Sequence, residues 1–304
     1  MLSPNIHFIQ RGWFNSNHIL ITGEEGAVLV DTGHREDVAE TLRLIAGAGV
    51  DPASIRLIVN THCHWDHCGG NEAIRAVSGA EVAMSGQTAD LFQQNNRQAL
   101  WLDYFGVEME MLTADYIYDD GDEIELAGLP FRVIAAPGHA PDTIALYQPT
   151  HRLLICADAL LENGDCGILN TAVHGHHILD EAIATVEKFA RLDAAIALPG
   201  HGNMIRDVPG NIARLRQRLA AFKAEPARMA WHLLRRVLMT YLMMVQPICR
   251  HELITCTLQT LWLHDYAPQC KVDPEPLAQQ IIDEFIRRGL AREEEGMLVS
   301  LIPR

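Results

Sequence analysis

The first two thirds of the chain are written in short apolar runs, and the last third in long stretches of helix formers. "HILIT" and "AVLVDTG" are β-rich runs separated by "GEEG", the pattern of a hairpin. A helical pattern follows over 36–48, closed by Gly47 and Gly49. "IRLIVNTH" is an unbroken apolar run of the kind given by a strand buried on both faces. "NEAIRAVSG" then reads as a helix and "AEVAMS" as a strand, while 88–118 reads as an amphipathic helical insertion or lid. "DEIELAGLPFRVIAAPGH" reads as strand, turn, strand and loop, "DTIALYQPTHRLLICAD" as a hairpin, and "DAAIALPGH" as one more strand. Four strand ends therefore carry histidine or aspartate into loops: His62 onward, His139, Asp158 and His201.

Beyond about residue 205 glycine becomes sparse and helix formers dominate through 248. "HELITCTLQTLWLHD" and "DPEPLAQQIIDEFIRRG" read as helices, and "LAREEEGMLVSLI" as a hairpin turning at "EEEG". That order is typical of a winged helix. The predicted organisation is an α/β catalytic domain over 1–224 and a smaller, mainly helical, winged-helix-like domain over 225–304. The apolar content of 231–245 predicts packing against the first domain or against a second subunit, as in a homodimer.

Composition narrows the class. With 304 residues, 48% hydrophobic and 21% charged, the chain can bury a full core. Its longest apolar candidate, "VLMTYLMMV" after Arg235 and Arg236, falls well short of the ~20 residues that cross a bilayer, so no membrane segment is expected. The N-terminus shows no basic segment followed by an apolar one, so no signal peptide is expected. The seven cysteines form no C-x-x-C pair, which fits free thiols in the cytoplasm. The net charge of −15 is uneven: residues 1–204 hold 10 Lys/Arg against 28 Asp/Glu, and residues 205–304 hold 14 against 11. An acidic first part is a poor dock for nucleic acid phosphates. Only 206–250 is basic, with nine basic residues against two acidic ones.

The candidate chemistry sits in "NTHCHWDHCGG", residues 60–70. Imidazole and carboxylate are the usual ligands of metals in hydrolytic sites. His62 and His64 are two apart at a strand end, where alternate residues point the same way, so the pair can grip one ion. Asp66 and His67 follow on the turn into a helix and can grip a second. His139, Asp158 and His201 sit at other strand ends, where the loops gather.

These residues resemble the metallo-β-lactamase superfamily: H-x-H-x-D-H, then His139, Asp158 and His201, in order, with "VDTG" at 30–33, "APGHAPDTIALY" at 136–147, "CAD" at 156–158 and "PGHG" at 199–202. The resemblance covers 1 to about 224 and implies an αββα sandwich with a dinuclear site at one edge between the sheets. His62, His64 and His139 would hold one divalent metal, Asp66, His67 and His201 the other, with Asp158 bridging. Zinc is the expected metal, with iron or manganese as alternatives. A metal-bridging hydroxide would attack the substrate, with Asp66 and Asp158 in catalytic roles and Asp66 also able to relay a proton. Asp31 would orient the ligand loop, or simply form the turn.

The substrate is less constrained. True two-zinc β-lactamases carry Cys or Ser at the place of Asp158, so β-lactam hydrolysis is not the expected activity. "THCHWDHCGG" is most similar to the glyoxalase II and general ester and thioester hydrolase branch, whereas the tail resembles that of a β-lactamase-like endoribonuclease family. The acidic catalytic part favours a small-molecule thioester, ester or lactone over RNA, and single-strand endoribonuclease activity is the alternative. Trp65, His174 and His176 are candidate substrate contacts, each also readable as packing or a solvated loop. Cys63 and Cys68 read as small core fillers.

Overall fold

Alternation along the strands decides the layers. In the computed structural model, which describes residues 2–303, the first sheet contains β1 (Ile6–Ile9), β2 (His18–Gly23), β3 (Gly26–Val30), β4 (Ile55–Val59), β5 (Glu81–Met84) and β6 (Tyr116–Ile117), in that spatial order. β1 to β3 pair antiparallel and β3 to β6 parallel, so helices must cross over between the parallel strands. The second sheet has the order β11-β10-β9-β8-β7, from β7 (Glu123–Leu126), β8 (Leu129–Ala135), β9 (Ile144–Gln148), β10 (Leu153–Ala157) and β11 (Ile196–Pro199); only β10–β11 is parallel.

Ile19, Ile21, Val28 and Val30 of the first sheet meet Phe131, Val133, Leu146 and Ile155 of the second across a shared core. The alternate residues point outward: Leu20, Leu29 and Ile58 pack with Ile45 and Ile74 of the helices Val38–Gly47 and Asn71–Ser78. On the other side Ile134, Leu154 and Cys156 pack with Val186 and Phe189 of the helix Ile178–Ala190 and Leu215 and Leu219 of the helix Val208–Ala224. The result is the expected αββα sandwich. Each large apolar side chain so buried contributes roughly 1.5–3 kcal/mol against exposure.

Two segments depart from the expected elements. Residues 88–118 are not helical throughout. The helices Gly86–Gln93 and Leu102–Phe105 are followed by extended chain. Gly106, at φ 66, ends the second helix, and Val107-Glu108-Met109 then alternates buried, exposed, buried, which is the two-residue period of an extended segment. "HELITCTLQTLWLHD" forms two helices, Arg250–Thr257 and Leu261–Cys270, separated where Thr260 turns to extended backbone.

After Val208–Ala224 the chain breaks at Glu225 (φ −140) and Pro226 starts the helix Pro226–Val245, proline being suited to a first turn. A small sheet of order β12-β14-β13 closes the chain, from β12 (Ile248–Cys249), β13 (Ala291–Glu294) and β14 (Met297–Ser300). Glu295 and Gly296, both at positive φ, make the tight turn of its hairpin. Leu234, Leu238 and Leu242 share one apolar cluster with Leu100, Trp101 and Phe105, so 231–245 packs against the first part of the same chain. Polar ties join them as well: Tyr104 Oη donates to Asp265 Oδ2 (2.5 Å), Tyr266 Oη to Asn170 Oδ1 (2.8 Å), and Trp13 N to the carbonyl of Pro303 (2.9 Å). Among the described residues no helix is long and apolar enough to cross a membrane.

Candidate metal centre

The loops that follow β3, β4, β8, β10 and β11 meet at one edge of the sandwich. β4 ends at Val59; His62 and His64 follow, and the short helix Trp65–Cys68 turns Asp66 and His67 toward the same point. Asp158 follows β10 directly, and His201 comes two residues after β11.

All seven residues expected as ligands come together. His62 Nε2 lies 3.1 Å from His64 Nδ1, which lies 2.9 Å from His139 Nε2. On the other side Asp66 Oδ2 is 3.2 Å from His201 Nε2 and 3.9 Å from His67 Nε2. Asp158 stands between the two groups: Oδ1 is 3.6 Å from His67, and Oδ2 is 3.5 Å from His139 and 3.6 Å from His201. Each of the sets His62/His64/His139, His62/His67/Asp158 and Asp66/His67/His201 offers ligand atoms within 4.8 Å of one another.

Hydrogen bonds behind the cluster fix which nitrogen faces it. Asp31, at φ 59, accepts from Thr61 N (2.8 Å) and Thr61 Oγ1 (2.8 Å) and holds His67 Nδ1 at 2.7 Å. His139 Nδ1 donates to the carbonyl of Ile168 at 2.8 Å. His139 thus carries its proton on Nδ1 and aims a bare Nε2 lone pair inward, and His67 keeps a proton on Nδ1, so that Nε2 is the nitrogen whose proton a metal would replace. Asp142 does similar work for the ligand loop, accepting from Cys63 N (2.8 Å) and Thr88 Oγ1 (2.6 Å).

The electrostatics call for cations. Burial holds His62, His64 and His139 below the ordinary imidazole value, so all three are neutral and able to serve as ligands. Burial alone would also lower His67, but Asp31, Asp66 and Asp158 push it up to about 10. Burial would raise Asp66, yet His67 and His201 hold it well below the usual carboxylate range. Among the described residues, His67 Nε2 and Asp158 Oδ1 are buried with no hydrogen-bond partner. Buried polar atoms seldom lack one, and here an imidazole nitrogen and a carboxylate oxygen share one small volume. The donor set fits divalent metals.

Glycine makes the approach possible. A Cβ at Gly200 would strike Asp158 Oδ1 and sit 2.8 Å from His67 Cε1, and one at Gly167 would strike the His139 ring and sit 2.9 Å from Asp158 Cβ. The cluster opens into a cavity of about 720 Å³. Trp65 lines it. His174 lies beside His64 with ring centroids 6.5 Å apart, outside the lining, and His176 is exposed on the surface. Cys63 and Cys68 are buried, and burial pushes both thiols up, which leaves them as neutral fillers. Asp142 escaped notice in the sequence although it lies inside "APGHAPDTIALY". Nothing local marked Arg236 or Asp165, whose 2.5 Å ion pair joins the tail to the loop after Asp158.

Residues 11–201 match the model of the Metallo-beta-lactamase superfamily. The chain belongs to the metallo-β-lactamase superfamily. A hydroxyacylglutathione hydrolase of Ectopseudomonas mendocina (strain ymp) is 33% identical over 160 residues, 51% of each chain. The chain thus spans about half the length of that curated relative. Another hydroxyacylglutathione hydrolase, from Aeromonas hydrophila subsp. hydrophila, is 31% identical over 217 residues, 67% of this chain and 74% of the other. Among solved structures, a metallo-β-lactamase family protein from Thermus thermophilus aligns with a TM-score of 0.61 at 20% identity, over 99% of this chain and 100% of that one. This metallo-β-lactamase superfamily member therefore shares its fold with that protein across the tail as well as the sandwich.

Proposed function

We propose that this chain is a dinuclear metal-dependent hydrolase of small-molecule thioesters, with esters and lactones as further substrates. The observation that carries the reading is the placement of Asp158, with one oxygen toward His67 and the other toward both His139 and His201. In this reading His62, His64 and His139 hold one divalent ion, Asp66, His67 and His201 the other, and Asp158 both. Zinc suits this nitrogen and oxygen set, and iron and manganese are accepted by the same ligands. Two such ions supply an acidified water and polarise the acyl oxygen. The protein's part is to hold the ligands rigid, to keep Asp66 ionised as a proton acceptor at the cavity, and to exclude bulk water behind Trp65 and Trp101. Asp31 sets the proton of His67. The similarity to hydroxyacylglutathione hydrolases supports the thioester class.

In the same reading 1–224 is the catalytic part and 225–304 a winged-helix-like tail, supported by a small sheet β12-β14-β13 in which three helices separate β12 from the final hairpin. The tail walls the cavity through Met239, Met243 and Phe285, and an apolar wall beside the ligand cluster suits a small molecule better than an RNA strand. The seven free cysteines fit a cytoplasmic setting.

The test is one metal-quantified preparation divided between neutral thioesters, aryl esters and lactones on one side and labelled single-stranded RNA on the other. About two ions per chain with thioester turnover, both lost in Asp158→Ala, is the expected result. RNA cleavage abolished by His64→Ala, with no acyl hydrolysis, would replace the reading by the endoribonuclease one.

A further inference from the structure

The cavity that holds the ligand cluster is also lined by Arg218, Arg235, Arg236 and Arg288. All four come from the last hundred residues, the only part of the chain that is not acidic. Two carboxylates partner them. Asp165 takes Arg236 at 2.5 Å, with Arg218 at 3.5 Å and His232 Nε2 at 3.1 Å. Glu284 takes Arg235 at 2.8 Å and Arg288 at 3.0 Å. Burial keeps His232 below the ordinary imidazole value, so it adds no charge. Four guanidiniums against two carboxylates leave a positive excess on a wall facing a centre that itself takes cations.

The excess is placed for binding. Asp165 is largely buried and its partners are committed to it, with Arg236 also donating to the carbonyl of Cys166 and lying over the Trp13 ring at 5.4 Å. The Trp13 ring in turn stacks on that of His201, 6.2 Å away and 8° from parallel. Arg235 and Arg288 are freer: their side chains are 38% and 56% exposed, and they share one carboxylate. Met239, Met243 and Phe285 line the same cavity. The lining therefore offers a hydrolytic cluster, an apolar wall and a guanidinium pair able to bind a carboxylate or phosphate through paired N–H groups.

We propose that Arg235 and Arg288 form a subsite for the anionic part of an acyl thioester, a substrate whose thiol half carries carboxylate or phosphate groups. This rests on the thioester-hydrolase reading above. In the reaction the oxygen of one water forms a C–O bond to the acyl carbon and the C–S bond breaks. The thiolate leaves with the sulfur electron pair and takes up a proton, and the acid product releases the other.

The experiment uses the metal-loaded full chain and three acetyl thioesters: of N-acetylcysteamine, which is neutral, of glutathione, which carries carboxylates, and of coenzyme A, which carries phosphates. The expected result is a kcat/KM for glutathione or coenzyme A at least about tenfold above the neutral thioester, with an advantage that shrinks as salt rises. The better anionic substrate identifies the anion. In the double variant Arg235→Gln/Arg288→Gln the anionic-to-neutral ratio of kcat/KM should fall by about tenfold, chiefly through KM. Calorimetry with free coenzyme A and free glutathione reads the subsite without turnover, and the salt series on the unmodified chain does so if the double variant misfolds. Equal rates on all three thioesters with no salt dependence and no binding heat overturn the subsite and leave the hydrolase standing. No turnover of any thioester overturns the hydrolase reading, and salt-sensitive binding of either free thiol still decides the subsite.

Discussion

Replacing Asp31 by Asn should cost the protein one metal without unfolding it. Asparagine tolerates the left-handed backbone that Asp31 adopts at φ 59, and it can still accept from Thr61 N through its carbonyl oxygen. The oxygen that holds His67 Nδ1 at 2.7 Å becomes an NH2 group. A donor then faces a donor, and His67 relieves the clash by moving its proton from Nδ1 to Nε2. That nitrogen points at Asp66 and Asp158, so the lone pair that an ion needs is gone. The lost interaction is a hydrogen bond to a charged group, worth about 1.5–3 kcal/mol. At about 1.4 kcal/mol per tenfold, this lowers affinity for the Asp66/His67/His201 ion by roughly 10- to 150-fold. The assay is competition with a chelator of known affinity, with metal counted by native mass spectrometry and folding checked by thermal melting. Asp31→Ala supplies the contrast, because it also carries about 1–2 kcal/mol of left-handed strain and melts lower. Two ions bound in Asp31→Asn with affinities like those of the unmodified chain would refute the tautomer argument.

His18 carries a pH prediction. Burial and Arg11 lower its pKa to about 3, so it is neutral in the fold, where its Nδ1 is 3.1 Å from the carbonyl of Asp31. The unfolded chain takes up this proton first, near the ordinary value of about 6.5. The contribution is therefore complete above that value and is lost as pH falls toward 3, by about 2 kcal/mol between pH 8 and pH 5. Urea titrations with chelator present should show a shallower pH slope in His18→Asn, and equal slopes would exclude the assignment. Gly200→Ala should abolish activity and metal retention, since its methyl strikes Asp158. Gly47→Ala, in a helix with nothing within 4 Å of the added carbon, should leave activity alone and raise stability by about 0.5–1 kcal/mol in the same melts. Retained activity in Gly200→Ala, or a destabilised Gly47→Ala, would contradict the packing argument.

The convergence of the seven candidate ligands was legible because such residues are costly to place by chance: histidines and aspartates at the ends of apolar strands, with short-range spacing set by the strand period. Asp31 was marked only through the resemblance, since a lone aspartate before Thr-Gly reads equally well as a turn former. The wall opposite was not. Arg235 and Arg236 look in sequence like a solvated face of a helix, and their pairing with Glu284 and Asp165 depends on how two distant segments dock. The stretch after Gly106 reads as helix because amphipathic composition outweighs the short alternation at Val107-Glu108-Met109, which only burial reveals. The first strand of the small C-terminal sheet, Ile248–Cys249, is too short for any periodicity to announce it.

The loop between Asp158 and Asn170 has one end in the candidate ligand cluster and is held by the tail along its length, Asp165 and the carbonyl of Cys166 by Arg236 and Asn170 by Tyr266. Metal occupancy of the cluster and docking of the tail are then two equilibria acting on the same stretch of chain, and where one strengthens the other, thermodynamic reciprocity makes the effect equal in both directions. A substitution far out on the tail that loosens either anchor should register as weaker metal retention, and stripping the metal should show up as faster amide exchange in helices that touch no ligand.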